Sequence, residues 1–329
     1  PRHPVRCLPH LIRCAMAEPD RVLELRDGAG GWARCGLWWS PSKGDEAPNP
    51  QVLGGGDPLA HDQMSPAPSG TVPLGRIGRL EASGPGSAAE LLERATAELR
   101  QRGCATVLAP LDGDTWHPYR VLEPGQEPAE AFAGEPDPDP RWTDWLAAAG
   151  FAVRARYVSS LCSDLQRRRP TLYPLSPFQL VPVKRLAVDD QLEPIHRLIL
   201  NGFRRQPLFV PVSLDGFRRH WEPWRSRLDP HLSLLAFDGG EVVGLLLAHP
   251  DGPQEGRRAV VRTLVVQPGR RWAGLGRRLL ETCHGRAAAL GYTAVIHALM
   301  HDPGASVALS RPYARSFRRY VLMGRSLSA

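Results

Sequence analysis

Lysine is almost missing from this 329-residue chain: it occurs at Lys43 and Lys184 alone, although Lys and Arg together number 41. Arginine therefore carries nearly all of the +7 net charge. That bias, beside abundant Ala, Gly and Pro, reads as GC-rich coding and not as a polyanion-binding surface, so nucleic acid is not an expected partner. No C-x-x-C pair occurs among the scattered cysteines Cys7, Cys14, Cys35, Cys104, Cys162 and Cys283. This spacing disfavours a structural zinc site or a disulfide framework, predicts no metal cofactor, and suits a reducing cytoplasm. No apolar run approaches the ~18 residues of a membrane span, and the first residues lack the apolar core of a signal peptide. Neither a G-K-[ST] phosphate loop nor G-x-G-x-x-G is present, which excludes a P-loop and a dinucleotide fingerprint. What remains is an ordinary globular composition, 42% hydrophobic and 23% charged. Wholesale disorder is thereby excluded, and the length predicts about two domains.

Segments 40–69 and 124–140 are rich in Pro with Gly or acidic residues and read as loops, the second containing Glu135-Pro-Asp-Pro-Asp-Pro140. Segment 166–177 combines Arg167-Arg-Arg169 with Pro170, Pro174 and Pro177, and is the expected linker between units 1–165 and 178–329. An internal repeat supports two units. Leu91-Leu92-Glu93 recurs as Leu279-Leu280-Glu281 and Gly103 as Gly291, both at an offset of 188 residues. In each copy apolar residues share one helical face, and a glycine stands where a left-handed residue would end the helix. A strand-like run precedes each helix, at 71–80 and 259–267, and another follows it. Strand, glycine loop, helix, glycine, strand is thus predicted twice.

The second copy carries chemistry. A β-branched strand ends at Pro268, and a loop with Arg270, Arg271, Gly274 and Gly276 leads directly into an amphipathic helix. The first N–H groups of a helix are unpaired, its dipole is positive at that end, and glycines admit an anion to the backbone. Arg271 and Arg277 would add charge-assisted hydrogen bonds.

Arg271-x-x-Gly274-x-Gly276, after a strand ending in x-Pro, resembles the [Q/R]-x-x-G-x-[G/A] motif of the GCN5-related N-acetyltransferase (GNAT) superfamily. Strands at 241–248 and 292–300 flank it in that family's order, and the resemblance extends over 178–329. It implies an α/β (α+β) fold of two tandem GNAT-like domains. Each would have a mixed, mostly antiparallel sheet, flanking helices and a splayed central strand pair, as in two-domain bacterial proteins. The co-substrate implied is acetyl-CoA. Leu264, Val265 and Val266 would pair with its pantetheine, and Arg271, Trp272, Ala273, Gly274, Leu275, Gly276 and Arg277 would hold its pyrophosphate. The activity implied is direct acetyl transfer to an amine acceptor, with a non-enzymatic acyl-CoA sensor as the alternative. Neither the acceptor nor the oligomeric state can be read.

In the first unit the loop aligns with Ser83-Gly84-Pro85-Gly86-Ser87-Ala88, where the arginine has become Ser83 and Ser87 with Glu90 forms a capping-box pattern. A worn copy, impaired for CoA, is expected. Segment 112–120 with Trp142 and Trp145 resembles the first half of two-domain GNAT-like proteins; it either lines a substrate cleft or packs as a loop. The family's strand carboxylate has no counterpart here, since that strand offers Arg262 and Thr263. His301 and Asp302, just past a strand end, are the expected proton-transfer groups, whereas His297, within an apolar strand, reads as a packed core residue. The family's tyrosine acid would fall at Ser310, and the tyrosine stands instead at Tyr313, which with Tyr320 is the candidate acid. The Arg- and Trp-rich segment 201–229, with Arg204, Arg205, Arg218, Arg219, Trp221 and Trp224, occupies the acceptor region and suits an acidic or aromatic acceptor, or else coats a solvated helix.

Overall fold

A computed structural model describes residues 17–26, 30–39, 73–126, 130–136, 139–170, 178–183, 188–252 and 257–327. The predicted loop 40–69 lies outside the described residues, as does most of the latter part of the 166–177 linker. The N-terminal half contributes strands β1 (Arg21–Arg26), β2 (Trp32–Trp38), β3 (Leu74–Ala82), β4 (Thr106–Ala109), β5 (Val121–Leu122) and β6 (Ala152–Cys162), with helices α1 (Pro85–Gln101) and α2 (Trp142–Ala148). The C-terminal half contributes β7 (Gln179–Pro182), α3 (Leu192–Phe203), α4 (Leu214–Arg225), β8 (Leu234–Asp238), β9 (Glu241–Pro250), β10 (Arg258–Val266), α5 (Leu275–Ala289), β11 (Ala294–Asp302), α6 (Ala305–Ser310) and β12 (Arg315–Ser326).

The 188-residue repeat is visible in three dimensions. Helix α1 ends before Gly103 at φ +83° and α5 before Gly291 at φ +80°, both left-handed as a helix-stopping glycine requires. The strands that follow begin at Thr106 and Ala294, again 188 apart. β3 with β4, and β10 with β11, are the parallel pairs in an otherwise antiparallel sheet, as expected where a helix crosses over between strands.

A single sheet runs through both halves in the order β1-β2-β3-β4-β12-β6-β11-β10-β9-β8-β7. The halves exchange their last strands: β12 lies beside β4, and β6 lies beside β11. β6 and β12 then pair with each other along most of their length, from Arg315 opposite Leu161 to Gly324 opposite Ala152. The proposed boundary at 166–177 falls between β6 and β7, and the sheet crosses it. Separating the halves therefore strips β11 of a neighbour and bares backbone groups that need partners. Residues 178–329 expressed alone are expected to aggregate, and co-expression with 1–165 to restore a soluble complex, as size-exclusion chromatography would show. A soluble, cooperatively unfolding 178–329 would contradict the exchange.

Helices α3 and α4 cover one face of the C-terminal sheet and α5 the other. β9 is apolar on both sides because both are buried: Val243, Leu246 and Ala248 face α5, while Leu245 and Leu247 face α3 and α4. In β10 the alternation breaks. Ala259 and Val261 join the α5 core, but so do Leu264 and Val266. Pairing with β9 skips Arg262, which makes it the extra residue of a β-bulge and flips the parity after it.

Candidate active site

The bulge sits where the sheet opens. β10 and β11 pair from Arg258 with Ala294 to Val261 with His297 and then part. Past that point β10 stays on β9, Leu264 opposite Leu246 and Val266 opposite Gly244. β11 stays on β6, with an irregularity between His297 and Met300 and Leu299 at φ +57°. The edge of 262–266 facing β11 has no strand partner. A cleft of about 350 Å³ opens there, walled by both strands, α3, α4, α6 and the 115–120 loop of the other half.

At the end of the opening, Gly274 takes φ +85° and α5 begins at Leu275 with no side-chain cap. The first backbone bond into that helix is Arg278 N–H to Gly274 O, so the preceding first-turn N–H groups face outward. The loop therefore fits an anion on backbone geometry. Two of its arginines are otherwise engaged: Arg271 Nε pairs with Asp238 Oδ2 at 2.7 Å, and Arg277 Nη1 donates to the Pro170 carbonyl at 2.8 Å. Trp272 packs on the α5 core beside Ala273, and a Cβ at Gly276 would come within 3.5 Å of Leu264. Val265 is buried toward α3, where Gly202 leaves no room for a larger side chain.

The structure brings some predicted groups together and leaves others apart. His301 is half-buried in the cleft, its ring 5.4 Å from Tyr157, and burial holds its pKa below the usual imidazole value. Asp302 is exposed and outside the lining. The Tyr313 hydroxyl donates to Glu281 Oε1 on α5 at 2.5 Å and is also outside it. Tyr320 is buried against Glu135, away from the cleft. Ser310, at the position of the family's tyrosine, does line the cleft. Its Oγ lies 2.6 Å from His297 Nδ1, and His297 Nε2 lies 2.9 Å from His284 Nε2, with the imidazoles stacked 5.1 Å apart. Reading His297 as a core residue captured its burial but missed this chain; the 13-residue offsets to His284 and to Ser310 carry no local signal.

Both histidines of this pair are held well below the ordinary value by burial, and His220 and His249 are pushed down to about 4 for the same reason. A base whose folded pKa is depressed stabilises the fold above its unfolded value of 6.5 and loses that contribution as pH falls. Stability should accordingly drop between about pH 6.5 and pH 5, by up to ~1.4 kcal/mol per pH unit for each buried histidine. His249→Asn should flatten the slope, and thermal unfolding across that range checks both.

In the N-terminal half the corresponding opening is shut. Leu111 N–H donates to Ile77 O at 2.8 Å, and Arg79 N–H donates to Asp112 Oδ1 at 2.7 Å. The Asp112 carboxyl and the Leu111 backbone press on Gly78 so closely that no Cβ would fit. The expected capping box does not form. Helix α1 starts at Pro85 after an extended Gly84, which places Ser87 inside the first turn. Its hydroxyl bonds to Gly84 O and Ser83 Oγ, while Glu90 pairs with Arg94.

Segment 112–120 and the tryptophans grouped with it, Trp142 and Trp145, go to different places. Thr115, Trp116, Tyr119 and Arg120 reach the C-terminal cleft, whereas Trp142 and Trp145 pack in the N-terminal core. Segment 201–229 divides likewise. Trp221 and Trp224 turn inward, and Arg204, Arg205, Arg218 and Arg219 point to solvent.

A mixed sheet whose parallel pair splays onto an uncapped, glycine-entered helix defines the GNAT class of fold. Residues 198–309 match the model of the acetyltransferase (GNAT) family. The structure resembles a GCN5-related N-acetyltransferase from Sphaerobacter thermophilus, at 13% identity and TM-score 0.53 over 94% of this chain and 81% of that one. It also resembles the GCN5-related glucosamine N-acetyltransferase region of a fungal multi-domain GH3 β-N-acetylglucosaminidase, at 11% identity and TM-score 0.53 over 96% of this chain and 34% of that one. Likeness at such identities establishes the fold, here GNAT-like over both halves. No curated protein sequence matches. Among the described residues no helix is long and apolar enough to cross a membrane.

Proposed function

We propose that this protein is an N-acyltransferase that moves an acetyl group from acetyl-CoA to an amine, with the reaction confined to the C-terminal half. The observation that carries the reading is the splay of β10 from β11 at Arg262, which leads from the anion-binding start of α5 to a cleft holding His301 and Ser310. Acetyl-CoA supplies an activated thioester. The free edge of Leu264, Val265 and Val266 would pair with its amide-bearing arm, and the N–H groups from Gly274 to Arg277 would hold its pyrophosphate. With the matching opening shut at Gly78, the N-terminal half serves as a wall of the cleft through Thr115 to Arg120.

His301 is neutral near pH 7 and can take the proton that the attacking amine must lose. Among the described residues no carboxylate lines the cleft to do so instead. Ser310 faces the departing sulfur. When His284 Nε2–H donates to His297 Nε2, and His297 Nδ1–H donates to Ser310 Oγ, the serine O–H is left to point into the cleft as a donor. Charge on the leaving thiolate is then met by a preorganised hydrogen bond.

The test is release of free thiol from acetyl-CoA with a panel of amines. Amine-dependent release supports the enzyme. CoA binding without release under any amine would instead identify an acyl-CoA sensor.

A further inference from the structure

Arg262 has a guanidinium that the protein does not use. Two partly buried arginines of this half are matched, Arg258 with Asp251 at 2.7 Å and Glu130 at 3.1 Å, and Arg318 with Glu135, whereas Arg227 lies 5.4 Å from the Trp224 ring centroid. Arg120, which shares the cleft, donates to the Leu299 carbonyl at 2.9 Å and lies between the rings of Tyr119 and Tyr157. Arg262 instead lies over the face of Trp224 with its Cζ 3.5 Å from the ring centroid. Among the described residues no carboxylate or carbonyl pairs with it. The bulge is what turns it inward. Gly134, from the 130–136 loop of the other half, closes over its Nη1, since a Cβ there would stand 3.7 Å away.

A partly buried, unpaired cation is costly, and a fold that keeps one in a cleft has left the counter-charge to a ligand. The acetyl donor's pyrophosphate is not that ligand. Arg262 lies four residues before Val266, about 13 Å upstream of that strand end at ~3.3 Å per residue, and the loop into α5 follows Val266. Burial together with Arg120 and Arg227 lowers its pKa to about 10, which leaves it charged near neutral pH. Phe203, Phe209, Phe217, Trp116 and Trp221 line the cleft with Gln206 and His220, and among the described residues no Asp or Glu does. A polyamine or aminoglycoside would meet two arginines and no counter-charge there. A cavity of about 350 Å³ suits one small molecule.

We propose that the acceptor is a small amine bearing a carboxylate beside an apolar or aromatic body, as in an apolar α-amino acid, and that Arg262 binds the carboxylate while the aromatic wall holds the body. The proposal rests on the acyltransferase reading for the identity of the cleft as the acceptor site, and its test separates the two. N-Acetyl-phenylalanine, N-acetyl-tryptophan and N-acetyl-leucine, together with their carboxamides, would be titrated into the full chain with and without CoA. Tryptophan fluorescence and calorimetry would follow binding, and CoA would be titrated separately.

At least one acid should bind about tenfold or more tighter than its amide, the range of a charge-assisted hydrogen bond. Arg262→Gln should erase that preference and Arg262→Lys should restore part of it, in variants whose thermal unfolding matches the wild type. Equal binding of acid and amide throughout, no saturable binding of any acid, or a preference that survives Arg262→Gln would each overturn the proposal. Acid preference without CoA binding would uphold the anion site and remove the acyltransferase reading. CoA binding with thiol release that is indifferent to the carboxylate of the amine would do the reverse.

Discussion

Gly274→Glu is expected to weaken acetyl-CoA binding by about 100-fold or more, because several charge-assisted hydrogen bonds of ~1.5–3 kcal/mol each are lost together. Gly274 is left-handed at φ +85° and opens directly into the uncapped first turn of α5. A glutamate there places a side chain and a negative charge against the N–H groups that would hold pyrophosphate. The strain of a non-glycine residue in that conformation costs only about 1–2 kcal/mol, so the variant should fold. Gly274→Asn separates the effects, since asparagine tolerates the conformation and carries no charge; its affinity should fall between the two. Calorimetric titration beside thermal unfolding reads both quantities. Unchanged affinity in a folded Gly274→Glu protein would remove the loop from the donor site.

The second large effect concerns the leaving group. Ser310→Ala should lower turnover by roughly 10- to 100-fold, the equivalent of one charge-assisted hydrogen bond of ~1.5–3 kcal/mol, and leave CoA affinity nearly unchanged. The deficit should shrink with an acyl donor whose thiol is more acidic, because a better leaving group has less charge to be stabilised. His297→Phe should reproduce part of the loss by releasing the serine from its orientation. Tyr313→Phe discriminates between the two candidate acids. With its hydroxyl bonded to Glu281 outside the cleft lining, it should alter stability more than turnover. Lost turnover in Tyr313→Phe, with full turnover in Ser310→Ala, would reverse the assignment.

The phosphate-type loop was legible because its signal is local. Strand, glycine and helix start lie within 20 consecutive residues, from Arg258 to Arg277, and backbone sterics with N–H geometry tie those residue types to that shape. The repeat was legible for the same reason, since helix–glycine–strand is written in short-range periodicity and Gly103 and Gly291 both take the predicted conformation. Arg262 shows where that legibility ends. Read along the strand it was only a missing carboxylate; its inward turn comes from a bulge, which depends on the register with β9. The sequence marks Ser310 only as the vacated tyrosine position, but its contact with His297 and then His284 joins α6, β11 and α5, and no periodicity encodes such a meeting.

The sequence by itself determined the strand–helix–strand unit of each half, its glycine stop and the glycine entry to α5, all set by interactions within a few residues. The tertiary structure decided which half is open, because that turns on Asp112 and Leu111 closing over Gly78 in one copy while β10 and β11 part in the other. It also decided the exchange of β6 and β12, since hydrogen bonding between strands is indifferent to which half supplies the partner. And it decided the chemistry of the cleft, whose charge and aromatic walls come from residues more than a hundred positions apart, Arg120 and Trp224 among them, that only packing brings to one surface.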